Sequence, residues 1–111
     1  MFRRGMKEVR LVICTFPSTE VARQVGTALV EKQLAACVNL VPAIESIYRW
    51  QGEIEIATET LAIFKTTAAL YPQFEFALAA LHPYDVPEII AIKPDQVAET
   101  YAKWVLGQTP H

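Results

Sequence analysis

The sequence is poor in glycine, cysteine and histidine, and it has no long apolar run. Its 111 residues include four glycines, two cysteines and two histidines. No Gly-rich phosphate loop, no G-x-S-x-G turn and no histidine pair at zinc-protease spacing is present. Apolar stretches such as residues 61–64 are far shorter than the roughly 20 residues of a membrane-spanning helix. We therefore expect neither an enzyme nor a membrane span.

Charge of one sign is not in excess either. Ten Lys and Arg residues face 12 Asp and Glu residues, for a net charge of −2. A nucleic-acid-binding surface usually carries clustered Lys and Arg, whereas the basic residues here are scattered, so we expect no nucleic-acid partner. A secretory signal has an apolar stretch and a cleavage site after its basic residues, and we find neither after Arg3 and Arg4. The prediction is a cytoplasmic protein whose two cysteines remain thiols.

Apolar residues are abundant, at 52% of the sequence, and their periodicity predicts one domain. We expect a flexible N-terminus at 1–7, a single domain at 8–107 and a flexible C-terminus at 108–111. The predicted strands are 8–16, 36–50, 53–66 and 88–93, and the predicted helices are 19–33, 71–81 and 95–107. The order β-α-β-β-α-β plus a C-terminal helix is typical of the ferredoxin-like α+β fold.

Local signals add detail to this prediction. Pro42 and Ala43 interrupt the second strand and predict a kink or bulge. Gln51-Gly52 offers a residue for positive φ and predicts a tight hairpin between the second and third strands. The last helix is expected to bury one side, formed by Val97, Tyr101, Trp104 and Val105.

The first, third and fourth strands are apolar on both faces. In a ferredoxin-like domain the helices cover only one face of the sheet, so the other face should be polar in a monomer. We infer that this face packs against other copies of the chain, with the long hairpin reaching a neighbour. The sequence thus predicts an obligate oligomer.

The segment 82–90, HPYDVPEII, carries an imidazole, a phenol and two carboxylates next to or between two prolines. His82 lies at its start, and Cys14 near the end of the first strand is expected at the same end of the sheet. Thiolate and imidazole suit copper and zinc, so Cys14 and His82 are the candidate metal ligands. Cys14 also fits an ordinary core residue, and His82 fits a hydrogen-bonded residue at a helix end.

A second candidate site is a ligand cleft. Aromatic rings beside ionisable groups commonly line such clefts. The candidate binding residues are Tyr48, Trp50, Glu59, Lys65, Tyr84 and Glu88. Glu59 and Lys65 alternatively pair across a subunit interface, because buried charges need partners.

The stretches LAACVNLVPAIESIYRWQGEIE, ETLAIFKTT, HPYDVPEII and YAKW resemble the CutA family of divalent-cation tolerance proteins. The resemblance runs from about Val9 to Trp104. It implies a cytoplasmic homotrimer of ferredoxin-like subunits linked to tolerance of copper and other divalent cations, with Cys14 and His82 as copper ligands. Some members carry two histidines before the Pro-Tyr pair, whereas this chain has Leu81 at the first position.

The resemblance also implies a shape similar to that of the trimeric PII signalling proteins, which bind small ligands between subunits. The alternative function is therefore a signalling or scaffold trimer that binds a small ligand or a partner protein in its clefts. The turn at Gln51-Gly52 is too short for the long signalling loop of a true PII protein.

Overall fold

The computed structural model describes residues 8–111; the predicted flexible segment 1–7 lies outside this range. Four strands and three helices follow one another in the predicted order β-α-β-β-α-β-α, and the α+β class is confirmed. Their bounds are β1 Val9–Phe16, α1 Thr19–Glu31, β2 Cys37–Trp50, β3 Glu53–Thr67, α2 Tyr71–Leu81, β4 Ile89–Ile92 and α3 Glu99–Gln108. The strands form one antiparallel sheet in the order β2-β3-β1-β4.

One face of the sheet carries α1 and α2. Alternate side chains of β1 point to this face, and Val12, Cys14 and Phe16 are fully buried there. Helix α1 begins where the Ser18 hydroxyl accepts a hydrogen bond from the Val21 amide at 3.1 Å, as expected for an N-cap. The buried residues of the two helices are Ala22, Val25, Gly26 and Leu29 in α1 and Phe74 and Leu78 in α2.

The opposite face, called the open face below, is apolar and lies uncovered by these two helices. Leu11 and Ile13 of β1 and Ile63 of β3 point to it and are half-buried. On β4, Ile90 and Ile92 remain 47% and 41% exposed. The prediction of strands that are apolar on both sides is confirmed.

Helix α3 covers only one end of the open face, where Val105 is buried with Val9 and Ala36. Two predictions for this helix are wrong. It begins at Glu99 and not at Asp95: Ala98 is the N-cap residue, without a side-chain cap hydrogen bond, and Glu99 is the acidic residue of the first turn. Tyr101 and Trp104 are exposed and not buried, because the ten-residue helix buries only Val105. Its end at Gln108 lies one residue beyond the predicted domain boundary.

The β2–β3 hairpin projects from the sheet and makes the molecule elongated, with extents of 50 × 26 × 23 Å. The predicted bulge is present: the register shifts between Val41 and Ile44, and Ala43 has a φ of 62°. The predicted tight turn is also present, with φ of 50° at Gln51 and 82° at Gly52.

Candidate functional site

The candidate site lies at one end of the sheet, where the loop 82–88 leaves α2 and passes the end of β1. His82 is the first residue after α2, and its backbone is extended, as expected before Pro83. The loop brings His82 beside Thr15, and Tyr84 beside Glu59 of β3. Residues that are far apart in sequence therefore meet here.

Both ring nitrogens of His82 have partners in the protein. The Tyr84 amide donates to Nδ1 at 3.1 Å, so Nδ1 is the acceptor and Nε2 carries the proton. Nε2 then donates to the backbone carbonyl of Thr15 at 2.7 Å. Burial lowers the pKa of His82 below its usual value, against the opposing effects of the Thr15 carbonyl and the Glu59 charge. The imidazole is therefore neutral at neutral pH.

Tyr84 and Glu59 form the polar centre of the site. The Tyr84 hydroxyl donates to Glu59 Oε2 at 2.7 Å, and the Glu59 side chain is buried. Burial and this hydrogen bond raise the pKa of Tyr84 far above its usual value, and the nearby Tyr48 adds to the effect. No Lys or Arg within residues 8–111 forms an ion pair with Glu59. A carboxylate thus lies buried with a phenol as its donor.

Cys14 lies at the same end of the sheet, as predicted, and it is fully buried. Its Sγ atom is 3.8 Å from the Thr15 carbonyl oxygen. Burial raises the pKa of the thiol to about 12, and the charges of Glu88 and Glu59 add to the shift. The side chain is a protonated thiol at neutral pH, whereas metals bind the thiolate.

Cys14 and His82 in this arrangement do not fit a metal ion. A ligating imidazole needs a free nitrogen lone pair, and the one lone pair on the His82 ring faces the Tyr84 amide. Among residues 8–111, no three His, Cys, Asp or Glu side chains come together as a metal-binding group. One chain therefore supplies no complete metal site in the part that the structure describes.

The structure separates the other candidate residues along the open face. Tyr48 is close enough to affect Tyr84, but Trp50 pairs with Glu53 at the far end of the hairpin, about 20 Å along β3 from Glu59. Glu88 is exposed in the loop before β4 and close enough to Cys14 to raise its pKa.

Lys65 lies six residues along β3 from Glu59, in the direction away from the hairpin tip. Its ammonium donates to the Asn39 side chain. Within one chain, Lys65 and Glu59 are therefore separate charges on the same face.

Two contributors escaped the sequence analysis. The Thr15 carbonyl binds His82, and the Phe16 ring stacks on the imidazole with centroids 4.6 Å apart. A backbone carbonyl has no residue signature, and Phe16 reads as an ordinary core residue. Only the expectation that β1 and the end of α2 share one end of the sheet pointed to these contacts.

Comparison with known proteins decides the family. The family described as CutA1 divalent ion tolerance protein matches residues 10–108, which is nearly the whole chain. This chain belongs to the CutA1 family. The resemblance inferred from the four sequence stretches is confirmed.

Relatives of the CutA1 family match over most of the chain. The divalent-cation tolerance protein CutA of Thermus thermophilus is 48% identical over 104 residues, 94% of this chain and 99% of that protein. A solved CutA1 structure from the same organism has a TM-score of 0.87 at 46% identity and covers 91% of this chain and 98% of that one. The chain spans 54% to 66% of the length of the animal and plant relatives that it matches.

Family names and helix lengths leave the location open. A CutA structure from Archaeoglobus fulgidus, described as periplasmic, has a TM-score of 0.88 at 35% identity and covers 91% of this chain and 98% of that one. No helix within residues 8–111 is long and apolar enough to cross a membrane. The family description names ion tolerance and no reaction. The cytoplasmic location and the absence of catalysis stay predictions.

Proposed function

We propose that this protein acts in divalent-cation tolerance as a cytoplasmic homotrimer whose intersubunit clefts bind a divalent metal ion, copper among the candidates. The family supports the role in cation tolerance. The trimer and the cleft are supported by the physical properties of the open face and of the hairpin.

The open face supports self-association. It presents Ile63 on the central strand β3 and the exposed Ile90 and Ile92 on β4. A contiguous apolar surface of this kind is uncommon on a monomer and marks an interface. The hairpin adds Ile47 and Ile56, each 65% exposed, on a segment that extends far enough to meet a neighbouring copy. A closed ring of three copies covers both surfaces by one repeated contact.

The hydrogen bond between Tyr84 and Glu59 is the main observation that supports a ligand-binding cleft. It places a carboxylate and a phenol among apolar residues at the foot of the hairpin, and a few polar groups on an apolar wall are typical of a ligand site. Since Cys14 and His82 do not fit a metal, we assign the contact to the carboxylates of Glu59 and Glu88. A neighbouring subunit supplies the remaining ligands, with Tyr48, Trp50 and Lys65 as further walls of the cleft.

A second candidate function is the binding of a small organic ligand or a partner protein in the same clefts, as in a PII-like trimer. The exposed rings of Tyr48 and Trp50 on the Glu59 side of the hairpin favour it. Aromatic faces beside a carboxylate suit a planar or cationic organic molecule.

Calorimetric titration with Cu²⁺, Zn²⁺ and Mn²⁺ tests the proposal. We expect at least one ion to bind the wild-type trimer, and Glu59→Gln to weaken that binding by about tenfold or more. Glu20→Gln, an exposed carboxylate in the first turn of α1, is the matched control and leaves binding unchanged. Identical isotherms for wild type and Glu59→Gln, or no binding up to about 1 mM, contradict the metal-binding proposal. Binding of a small organic ligand without any metal binding favours the second candidate.

A further inference from the structure

We propose that His82 is a positioning residue that holds Tyr84 against Glu59, and that it is not a ligand of the metal ion. The role concerns the site of the proposed function and rests on that proposal only for what the site binds. The positioning role itself is supported by the contacts of His82 within residues 8–111.

The hydrogen bonds of the ring leave no site for a metal. A neutral imidazole has one N–H and one lone pair. Nδ1 accepts a hydrogen bond from the Tyr84 amide at 3.1 Å, and the Nε2–H group donates one to the Thr15 carbonyl at 2.7 Å. A metal on either nitrogen displaces one of these partners. The displaced carbonyl or amide is then left in a buried region without its hydrogen bond.

The faces of the ring are covered as well. Phe16 stacks on the imidazole with an interplanar angle of 20°, and the Tyr84 ring lies with its centroid 4.8 Å away. Only 8% of His82 is exposed. An imidazole that is packed and bonded in this way is fixed in one tautomer and one orientation.

The fixed ring connects three elements of the site. Through Nε2 it is attached to the end of β1, and through Nδ1 it holds the backbone of the loop at Tyr84. That backbone position lets the Tyr84 hydroxyl reach Glu59 on β3 at 2.7 Å. Pro83, which lies between His82 and Tyr84, fixes its own φ and so limits the backbone conformations of the loop. His82 therefore sets where the phenol stands, and through the phenol it orients the carboxylate.

Two substitutions separate positioning from metal binding. His82→Gln keeps one donor and one acceptor on its amide, so it can bond both Thr15 and Tyr84, but it removes the imidazole. His82→Ala removes both bonds. His111→Gln, at the only other histidine, is the matched control.

The first measurement is amide hydrogen exchange at Tyr84, followed by NMR. We expect exchange about tenfold faster or more in His82→Ala, and protection within a few-fold of wild type in His82→Gln and His111→Gln. Nitrogen-15 shifts of the wild-type ring are expected to report a bare Nδ1 and a protonated Nε2. Unchanged protection in His82→Ala, or the opposite tautomer in wild type, overturns the positioning role. The ring shifts test the role even where a variant does not fold.

The second measurement is titration of the same proteins with Cu²⁺ and Zn²⁺. We expect His82→Gln to bind each ion within about twofold of wild type, and the His82 ring signals to keep their shifts. A tenfold or larger loss of metal affinity in His82→Gln overturns the proposal. So does a titration in which the His82 ring signals shift before any other signal. If wild type binds no ion, the proposed function fails, while the exchange and ring-shift results still decide the role of His82.

Discussion

At the scale of single residues, the site depends on one hydrogen bond to a buried carboxylate. Glu59 has the Tyr84 hydroxyl as its donor, and no cationic side chain within residues 8–111 neutralises it. Bonds to charged groups contribute more than bonds between neutral groups, and a buried charge that loses its donor is costly. We therefore expect the pair to matter for stability as well as for the proposed binding.

Tyr84→Phe removes this donor and leaves the Glu59 carboxylate buried without it. We expect the free energy of unfolding to fall by about 1–3 kcal/mol. Denaturation in guanidinium chloride at a fixed protein concentration measures the change. Tyr101→Phe is the control. Among residues 8–111 the Tyr101 hydroxyl has the Cys37 thiol at 3.5 Å as its hydrogen-bond partner, and Tyr101 is exposed, so we expect its loss to have a smaller effect. Equal effects of the two substitutions contradict the importance of the Glu59 contact.

The Cys14 thiol is expected to be unreactive in the folded protein. With a pKa of about 12, only about one molecule in ten thousand carries the thiolate at pH 8, and the side chain is fully buried. A thiol reagent that absorbs on reaction should therefore label at most Cys37 in the native protein and both thiols after denaturation. In Cys37→Ser, we expect native labelling to be close to zero and to rise with pH only as the thiolate forms. Rapid native labelling of that variant contradicts the buried, protonated thiol.

The sequence predicted which residues meet at the site better than it predicted their roles. That Cys14 and His82 share one end of the sheet followed from the order of the elements. Their partners did not follow, because His82 is bonded to the carbonyl of Thr15 and the amide of Tyr84, and backbone groups are the same at every position. Chemical type suggested two metal ligands, whereas the geometry gives one core thiol and one fully bonded imidazole.

At the scale of elements, local chemistry determined the hairpin and helix α1 well. The Gln51-Gly52 turn is a short-range signal and acts as predicted, and the Ser18 cap of α1 is local in the same way. Helix α3 was predicted less well. The apolar pattern of 97–105 suggests a helix with one buried side, but within one chain the helix buries only Val105. Tyr101 and Trp104 are exposed on a single chain, because a local apolar pattern predicts that residues are buried but not which surface buries them.

The packing of α1 on β2 requires a residue without a side chain. A Cβ atom added at Gly26 would lie 2.9 Å from Val38 Cγ1, so Gly26→Ala must move the helix or Val38. Alanine is favoured over glycine in a helix by about 1 kcal/mol, yet we expect Gly26→Ala to destabilise the protein because the clash outweighs this gain. Gly107→Ala in α3 is the control: its Cβ meets nothing within 4 Å, and we expect higher stability. Thermal unfolding of both variants checks the opposite signs, and a stabilised Gly26→Ala contradicts the close packing.

At the scale of the whole molecule, one chain leaves a large apolar surface uncovered. Two helices cover one face of the sheet, α3 covers one end of the other, and the hairpin extends the molecule to 50 Å. Burial of apolar area is the main favourable term in association, at about 25 cal/mol per Å². We therefore expect the proposed trimer, by covering the open face, to contribute to the stability of the fold.

A charge at the centre of the open face is expected to break the assembly. Ile63→Glu places a carboxylate on β3 among residues that we assign to the interface, and a buried unpaired charge is strongly unfavourable. We expect loss of the trimer or of soluble folded protein, seen by light scattering coupled to size exclusion. Phe76→Glu is the control, since Phe76 is 79% exposed on the outer side of α2, and it should leave the assembly intact. An intact trimer in Ile63→Glu contradicts this assignment.

Sedimentation equilibrium of the wild-type protein measures the assembly itself, and the proposed trimer and its clefts both depend on a covered open face. With a chain mass of 12.4 kDa, three copies give about 37 kDa. We predict that mass at low micromolar concentration, without dissociation on dilution. A stable species of 12.4 kDa under the same conditions contradicts the proposed trimer.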